Sequence, residues 1–306
     1  MSRGRYSLDE LAGGLIPAVP VMFDREHRFH ERAHEAYVSY MSSQPIAGVA
    51  VWAHTGRGLL LDDETAQRVM RQWRQVDKPL IAGVGSLAMA HAAADYGADA
   101  FLVYPPSSLR DHEQRDSLIV KHHEQLANVG LPLVLFYLYE AAGGVRYTKT
   151  VLDELLTLPN VIGIKMATLD SVMTYQDVAS HIQARHPDKL LITGEDRFLG
   201  YSLRRGAKAA LIGMGAVCCD LQAELIAAHF AGKAERFLEL SDLVDRLAEV
   251  LFIEPMEGYI GRVLYALARL GVIPADAAND TWGPALTAPE LDNINTLLNT
   301  LHVQVG

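Results

Sequence analysis

Lys165 ends an apolar run, Val161-Ile162-Gly163-Ile164. A lysine there carries its stem, and with it the amine, into an apolar interior. Desolvation disfavours the ammonium form and yields a neutral amine that can attack a carbonyl. Taken alone, the residue reads more simply as a strand-end lysine snorkelling to solvent. Tyr137 closes the preceding apolar run, Pro132–Tyr137. A phenol beside a reacting imine can pass protons, although an isolated tyrosine here reads first as core. His54, Thr55 and Gly56 follow a third run. A turn of this kind offers backbone N–H groups and a hydroxyl to a carboxylate, or is an ordinary strand-to-helix connection. A fourth run ends in Thr193-Gly194-Glu195-Asp196.

These residues have a common setting. Short β-rich runs alternate with amphipathic segments: Leu15–Phe23, Ala47–Trp52, Pro79–Val84, Ala100–Tyr104, Pro132–Tyr137, Val161–Lys165, Lys189–Gly194 and Lys208–Ile212. Continuous apolar runs fit strands buried on both faces of a parallel sheet. Helical patterns such as Asp63–Val76, Asp111–Asn128, Thr150–Leu158 and Ser171–Arg185 separate them. The alternation predicts an α/β fold, a (β/α)₈ TIM barrel over residues 1–220, whose chemistry gathers at the C-terminal ends of the strands. Strand signals stop after Asp220. Residues 221–306 read as a small helical region, with patterns at Leu221–Val250 (broken near Gly232), Glu257–Leu270 and Pro289–Leu301.

With 27 Lys and Arg against 37 Asp and Glu, the net charge is −10. That argues against nucleic acid or an anionic membrane surface as partner. No apolar run approaches the roughly 20 residues of a membrane span. The only cysteines, Cys218 and Cys219, are adjacent, which fits packing in a reduced, cytoplasmic compartment rather than a disulfide framework.

In combination the residues resemble the dihydrodipicolinate synthase / N-acetylneuraminate lyase family. The carriers are Pro159-Asn160-Val161-Ile162-Gly163-Ile164-Lys165, the upstream Tyr137, the turn Ala53-His54-Thr55-Gly56-Arg57, Gly97–Ala100 and Phe252-Ile253-Glu254-Pro255. The resemblance runs from about Leu15 to the C-terminus. It implies a Schiff-base lyase, an aldolase or dehydratase acting on pyruvate or another 2-oxo acid. Lys165 would form the imine and Tyr137 relay the proton. Thr55 and Gly56 would hold the carboxylate, with Gly194 and Leu211 on the floor. It implies no metal or organic cofactor, because the protonated imine is itself the electron sink. It also implies a homotetramer or homodimer.

The sequence departs from the family at several points. His54 and Arg57 stand where the family turn has threonine and glutamate; His54 is a proton carrier or a spacer stacked on the rim. The lysine-pathway synthases place an arginine where Ala142 falls and a tyrosine pair where Pro105-Pro106-Ser107-Ser108 falls, which weighs against that activity. Gly85–Asp99 is short, so a truncated third helix is expected. Asp196 reads as an acceptor for substrate hydroxyls or as a helix cap. The changed turn also keeps a non-catalytic oxo-acid-binding protein in view. His30-Glu31-Arg32-Ala33-His34 matches a zinc-peptidase pattern, but it falls on an outer helix and is expected to be coincidence. The glycines of Gly213-Met214-Gly215 are weak grounds for a phosphate cradle.

Overall fold

The computed structural model describes residues 8–169 and 171–305. Its strands are β1 (Leu15–Pro17), β2 (Val49–Val51), β3 (Leu80–Val84), β4 (Ala100–Val103), β5 (Leu133–Leu138), β6 (Val161–Ala167), β7 (Leu190–Thr193) and β8 (Ala209–Ile212). All neighbouring pairs are parallel, in the order β1-β8-β7-β6-β5-β4-β3-β2. The bridge Ala18↔Ala50 and the 3.1 Å bond from Val19 N–H to the Ala50 carbonyl join the two ends into a barrel. The expected first strand, Leu15–Phe23, is cut to three residues. Pro17 and Pro20 have no N–H to give to a ladder, so regular pairing ends early.

The helices are α1 (Glu31–Ser42), α2 (Asp63–Trp73), α3 (Leu87–Asp95), α4 (Arg115–Ala127), α5 (Lys149–Leu156), α6 (Val172–Arg185), α7 (Leu199–Arg204), α8 (Cys219–Phe230), α9 (Ala234–Leu251), α10 (Tyr259–Arg269) and α11 (Ala288–Val305). Polar side chains start several of them. Asp62, Ser86, Thr148 and Ser171 each accept a hydrogen bond from a backbone N–H three residues on. The short α3 agrees with the reading of Gly85–Asp99. Gly232, at φ +67°, ends the α8 turn and separates it from α9, where the break was expected. α8 follows β8 and packs on β1, the place of the eighth ring helix. The division expected at residue 220 therefore falls inside the last barrel unit, and the extension is α9–α11.

Two apolar layers fix which way side chains point. Ile16, Ala50, Ile81, Leu102, Phe136, Ile192 and Leu211 belong to the layer that fills the barrel. Val51, Val84, Val103, Leu135, Ile164 and Met166 join the layer between strands and helices. Successive strand residues alternate between the two, as pleating requires. No described helix is long and apolar enough to cross a membrane.

Candidate active site

Lys165 pairs in register with Phe136 of β5 and Ile192 of β7, both in the barrel-filling layer. Its amine therefore points inward. The residue is 5% exposed, and Nζ lies 4.3 Å from the Phe136 ring centre. Burial pushes the ammonium down to about 8, against the charges of Asp196 and Glu195, which pull it up. Snorkelling to solvent is excluded by this placement.

Tyr137 is a correction to the sequence reading. It pairs with Met166 and packs in the strand–helix layer, on the opposite face of the sheet from Lys165. Its ring meets Tyr147 edge-on at 5.6 Å, and Arg146 approaches its hydroxyl. Alternation along β5 gives the inward face to Phe136, the residue in register with Lys165, and not to Tyr137 beside it. Two other phenols stand at the mouth. Tyr139, just past β5, donates to Glu257 Oε1 at 3.1 Å. Tyr259, which opens α10, shares a 2.9 Å hydrogen bond with Thr55 Oγ1. Burial raises both phenols, and the Asp196 charge adds to each.

Asp196 is 4% exposed and accepts from the Met214 N–H at 2.7 Å. The Gly213-Met214-Gly215 turn thus holds a side-chain carboxylate of the chain itself. Burial lifts the Asp196 carboxyl to about 7, opposed by its backbone bonds and by Lys165. Of the two roles weighed for Asp196, neither describes this contact, because the carboxylate reaches across to the β8 turn. Glu195 is fully buried and accepts from Thr168 N–H, Thr168 Oγ1 and Leu169 N–H at 2.7, 2.8 and 2.8 Å. It fastens the chain after β6.

Gly194 and Leu211 lie below. Leu211 is in the barrel-filling layer. A Cβ on Gly194 would sit 2.5 Å from Lys165 Cε and 2.8 Å from the Met166 carbonyl oxygen. Gly194→Ala is therefore expected to displace the lysine stem and slow imine formation by about 10²-fold, with the fold retained. Rapid trapping of the pyruvate imine checks this, and a rate within twofold of the unsubstituted chain refutes it.

The mouth carries a charged latch that the sequence did not disclose. Glu257 accepts from His54 Nε2 at 3.0 Å, from Arg57 Nη1 at 2.7 Å and from Tyr139. Arg57 Nη2 reaches Asp280 Oδ2 at 2.7 Å. Burial pushes the Glu257 carboxyl up, but His54 and Arg57 outweigh it and hold it at about 2. His54 stacks on Tyr259 with ring centres 6.2 Å apart, so it sits on the rim while bonded to the latch. Thr55 is 2% exposed and engaged with Tyr259, and Gly56 is buried against the Val19 carbonyl, where a Cβ would come within 2.8 Å. Beside the latch, at the ends of β5 and β6, opens a cleft of about 330 Å³ lined by Tyr137, Tyr139, Arg146, Thr168, Ser171 and Thr174, among others, so that Tyr137 borders the cleft although it faces away from Lys165.

Other sequence features resolve plainly. His30 caps α1 while His34 is buried against Gln72, so the two do not share one face as ligands. Burial pushes the Cys218 and Cys219 thiols up to about 12, which suits packing.

A parallel eight-stranded barrel with an inward-facing lysine of depressed pKa at the C-terminal end of β6 defines a class of amine-dependent barrel enzyme. The profile of the dihydrodipicolinate synthetase family matches residues 11–289, and the chain belongs to that family. It is an enzyme, a lyase of a family whose general mechanism is Schiff-base chemistry on pyruvate. Among its relatives, the 4-hydroxy-tetrahydrodipicolinate synthase of Bartonella tribocorum is 29% identical over 270 residues, 85% of this chain and 88% of that one. The N-acetylneuraminate lyase of Citrobacter koseri is 28% identical over 211 residues, 65% of this chain and 67% of that one. A catalytic-lysine mutant of Ruminococcus gnavus sialic acid aldolase shares the fold, with a TM-score of 0.82 at 19% identity over 96% and 97% of the two chains.

Proposed function

We propose that Lys165 forms an imine with the carbonyl of a 2-oxo acid and that the enzyme works as an aldolase or dehydratase on that imine. The observation that carries this is the inward-facing amine of Lys165, buried over the Phe136 ring, where burial disfavours its charged form and the neighbouring Asp196 charge opposes that shift. Near neutral pH such a pair can exchange a proton, freeing the amine to add to the carbonyl carbon. Loss of water then gives the protonated imine. In an aldol cleavage, a base takes the proton of the substrate's C4 hydroxyl. The C3–C4 electron pair flows into the iminium, the C4 fragment leaves as an aldehyde, and the resulting enamine is protonated at C3 before hydrolysis releases pyruvate and the free amine. Asp196 and Tyr139 are the groups we assign to proton transfer, in place of Tyr137. A homodimer or homotetramer is our reading of the assembly, supported by the exposed Leu59, Leu60 and Leu87.

The test is pyruvate with borohydride, followed by peptide mass spectrometry. We expect a stable adduct on Lys165; an adduct confined to another lysine overturns the mechanism.

The second reading is the lysine-pathway synthase, favoured by the name of the Bartonella relative. That reaction needs a cation for a second carboxylate. Arg57 is held by Glu257 and Asp280, Arg110 donates to the Glu140 and Gly144 carbonyls at 2.7 Å each, and Arg146, four residues beyond the Ala142 position, lines the cleft beside the Tyr137 hydroxyl. Ala142 offers no donor. Losing one charge-assisted bond weakens binding by at least about tenfold. We therefore expect negligible condensation of pyruvate with aspartate semialdehyde in a coupled reductase assay. A specificity constant of about 10⁴ M⁻¹s⁻¹ or more restores the synthase reading.

A further inference from the structure

Away from the barrel mouth, three side chains converge between α5 and α6. Asp153 lies on α5, His181 on α6, and His186 is the C-cap of α6. Both imidazoles donate through Nε2 to the same carboxylate oxygen, Asp153 Oδ1, at 2.8 Å for His181 and 2.6 Å for His186. The side chains are 12% exposed for His181, 10% for His186 and 30% for Asp153. Five residues apart on a continuous helix, the two histidines would point about 140° away from each other. His186 departs from helical dihedrals, with φ −137° and ψ 55°, and this turns its ring back to the face of His181.

We propose that Asp153, His181 and His186 bind one divalent transition-metal ion of the zinc class. Two imidazoles and one carboxylate are a donor set that zinc accepts, with a fourth position left for water. The three donor atoms all lie within 4.8 Å of one another. Tetrahedral zinc with bonds near 2.0–2.1 Å spaces its donors about 3.3 Å apart. The two nitrogens, now 2.8 and 2.6 Å from Oδ1, therefore need to draw back by about 0.5 and about 0.7 Å, changes within side-chain motion. The ion takes the place of the two N–H···O bonds. The competing cation is Arg185, whose Nη2 is 3.7 Å from Asp153 Oδ2, the other oxygen, and whose side chain is 66% exposed and free to swing outward. The ion would tie together the two helices that flank β6, and β6 carries Lys165.

The test uses the tag-free full chain with zinc chloride in titration calorimetry, and cobalt(II) as a spectroscopic stand-in. We expect one ion per chain, ligand-field absorption in the visible with cobalt, and a rise in the thermal midpoint on adding zinc. His186→Gln and Asp153→Asn keep side-chain size. Each is expected to weaken zinc binding by at least about tenfold, since loss of a direct ligand costs no less than loss of a supporting one. The zinc-induced rise in thermal midpoint should vanish with it. If the unsubstituted chain binds no zinc, the three residues are a metal-free hydrogen-bonded bridge and the proposal fails. It fails equally if binding persists undiminished in both variants, because the ion then sits on other histidines.

Discussion

Lys165→Ala is expected to abolish turnover, by on the order of 10⁴-fold or more, because among the described residues Lys165 is the only buried lysine. The fold should survive. The amine stands over the Phe136 ring, and removing a buried charge relieves desolvation. The unsubstituted enzyme should also show the lysine in its pH profile. The neutral amine is the reacting form, and its fraction grows as pH rises through about 8. The rate constant for imine formation should therefore climb below pH 8 and level off above it. Asp196 raises the lysine by its charge, so Asp196→Asn should move the limb to lower pH. Proton transfer should weaken as well, within the 10²–10⁴-fold typical of acid–base groups. A flat profile from pH 6 to 9 in pre-steady-state trapping refutes the assignment.

The largest effect on stability is expected at Arg262, which is fully buried. Its Nε donates to Glu290 at 2.7 Å, and its other nitrogens donate to the Leu251, Ile253 and Pro255 carbonyls at 3.1, 2.9 and 3.2 Å. It thus ties the end of α9, the start of α10 and the head of α11 together. Arg262→Met fills the space but takes the donor from Glu290 Oε1 and from the Leu251 and Ile253 carbonyls, while Glu290 Oε2 keeps Thr287 and the Pro255 carbonyl keeps the Gly258 N–H. Leaving a buried polar group unpaired costs about 1–3 kcal/mol. Denaturant unfolding should show a loss of that size, and a loss under 1 kcal/mol refutes it. Activity of the remaining folded protein should fall too, because the clamped segment delivers Glu257 to the mouth.

The barrel is legible from continuous apolar runs and their spacing, and Lys165 from the apolar run it closes, although β6 itself continues to Ala167. Both are local signals. The facing of Tyr137 was not legible, because it depends on which residue of β5 pairs with Lys165, and the one-residue difference that decides it leaves no trace in residue type. The latch was hidden for another reason. In the sequence His54 and Arg57 are departures within one turn, while their partner Glu257 lies about two hundred residues away. Only the return of the α9–α11 extension over the strand ends brings them together. The segment Phe252-Ile253-Glu254-Pro255 marks that return as a block, without disclosing that Glu257 and Tyr259 beyond it are the residues that reach the mouth.

The barrel is unevenly stitched. β5 and β6 run side by side from Leu133↔Val161 to Leu138↔Ala167, with one register shift after Leu133, whereas β1 and β2 share no ladder and are held by the bridge Ala18↔Ala50 and the bond from the Ala47 N–H to the Leu15 carbonyl. A hoop of this kind is stiff on one side and compliant on the other. The amine stands on the stiff side, fixed like an anvil. The Thr55 turn and its half of the latch stand next to the compliant joint. A small parting there sacrifices few ladder bonds, so the mouth can widen to admit a substrate while the strand beneath Lys165 stays still.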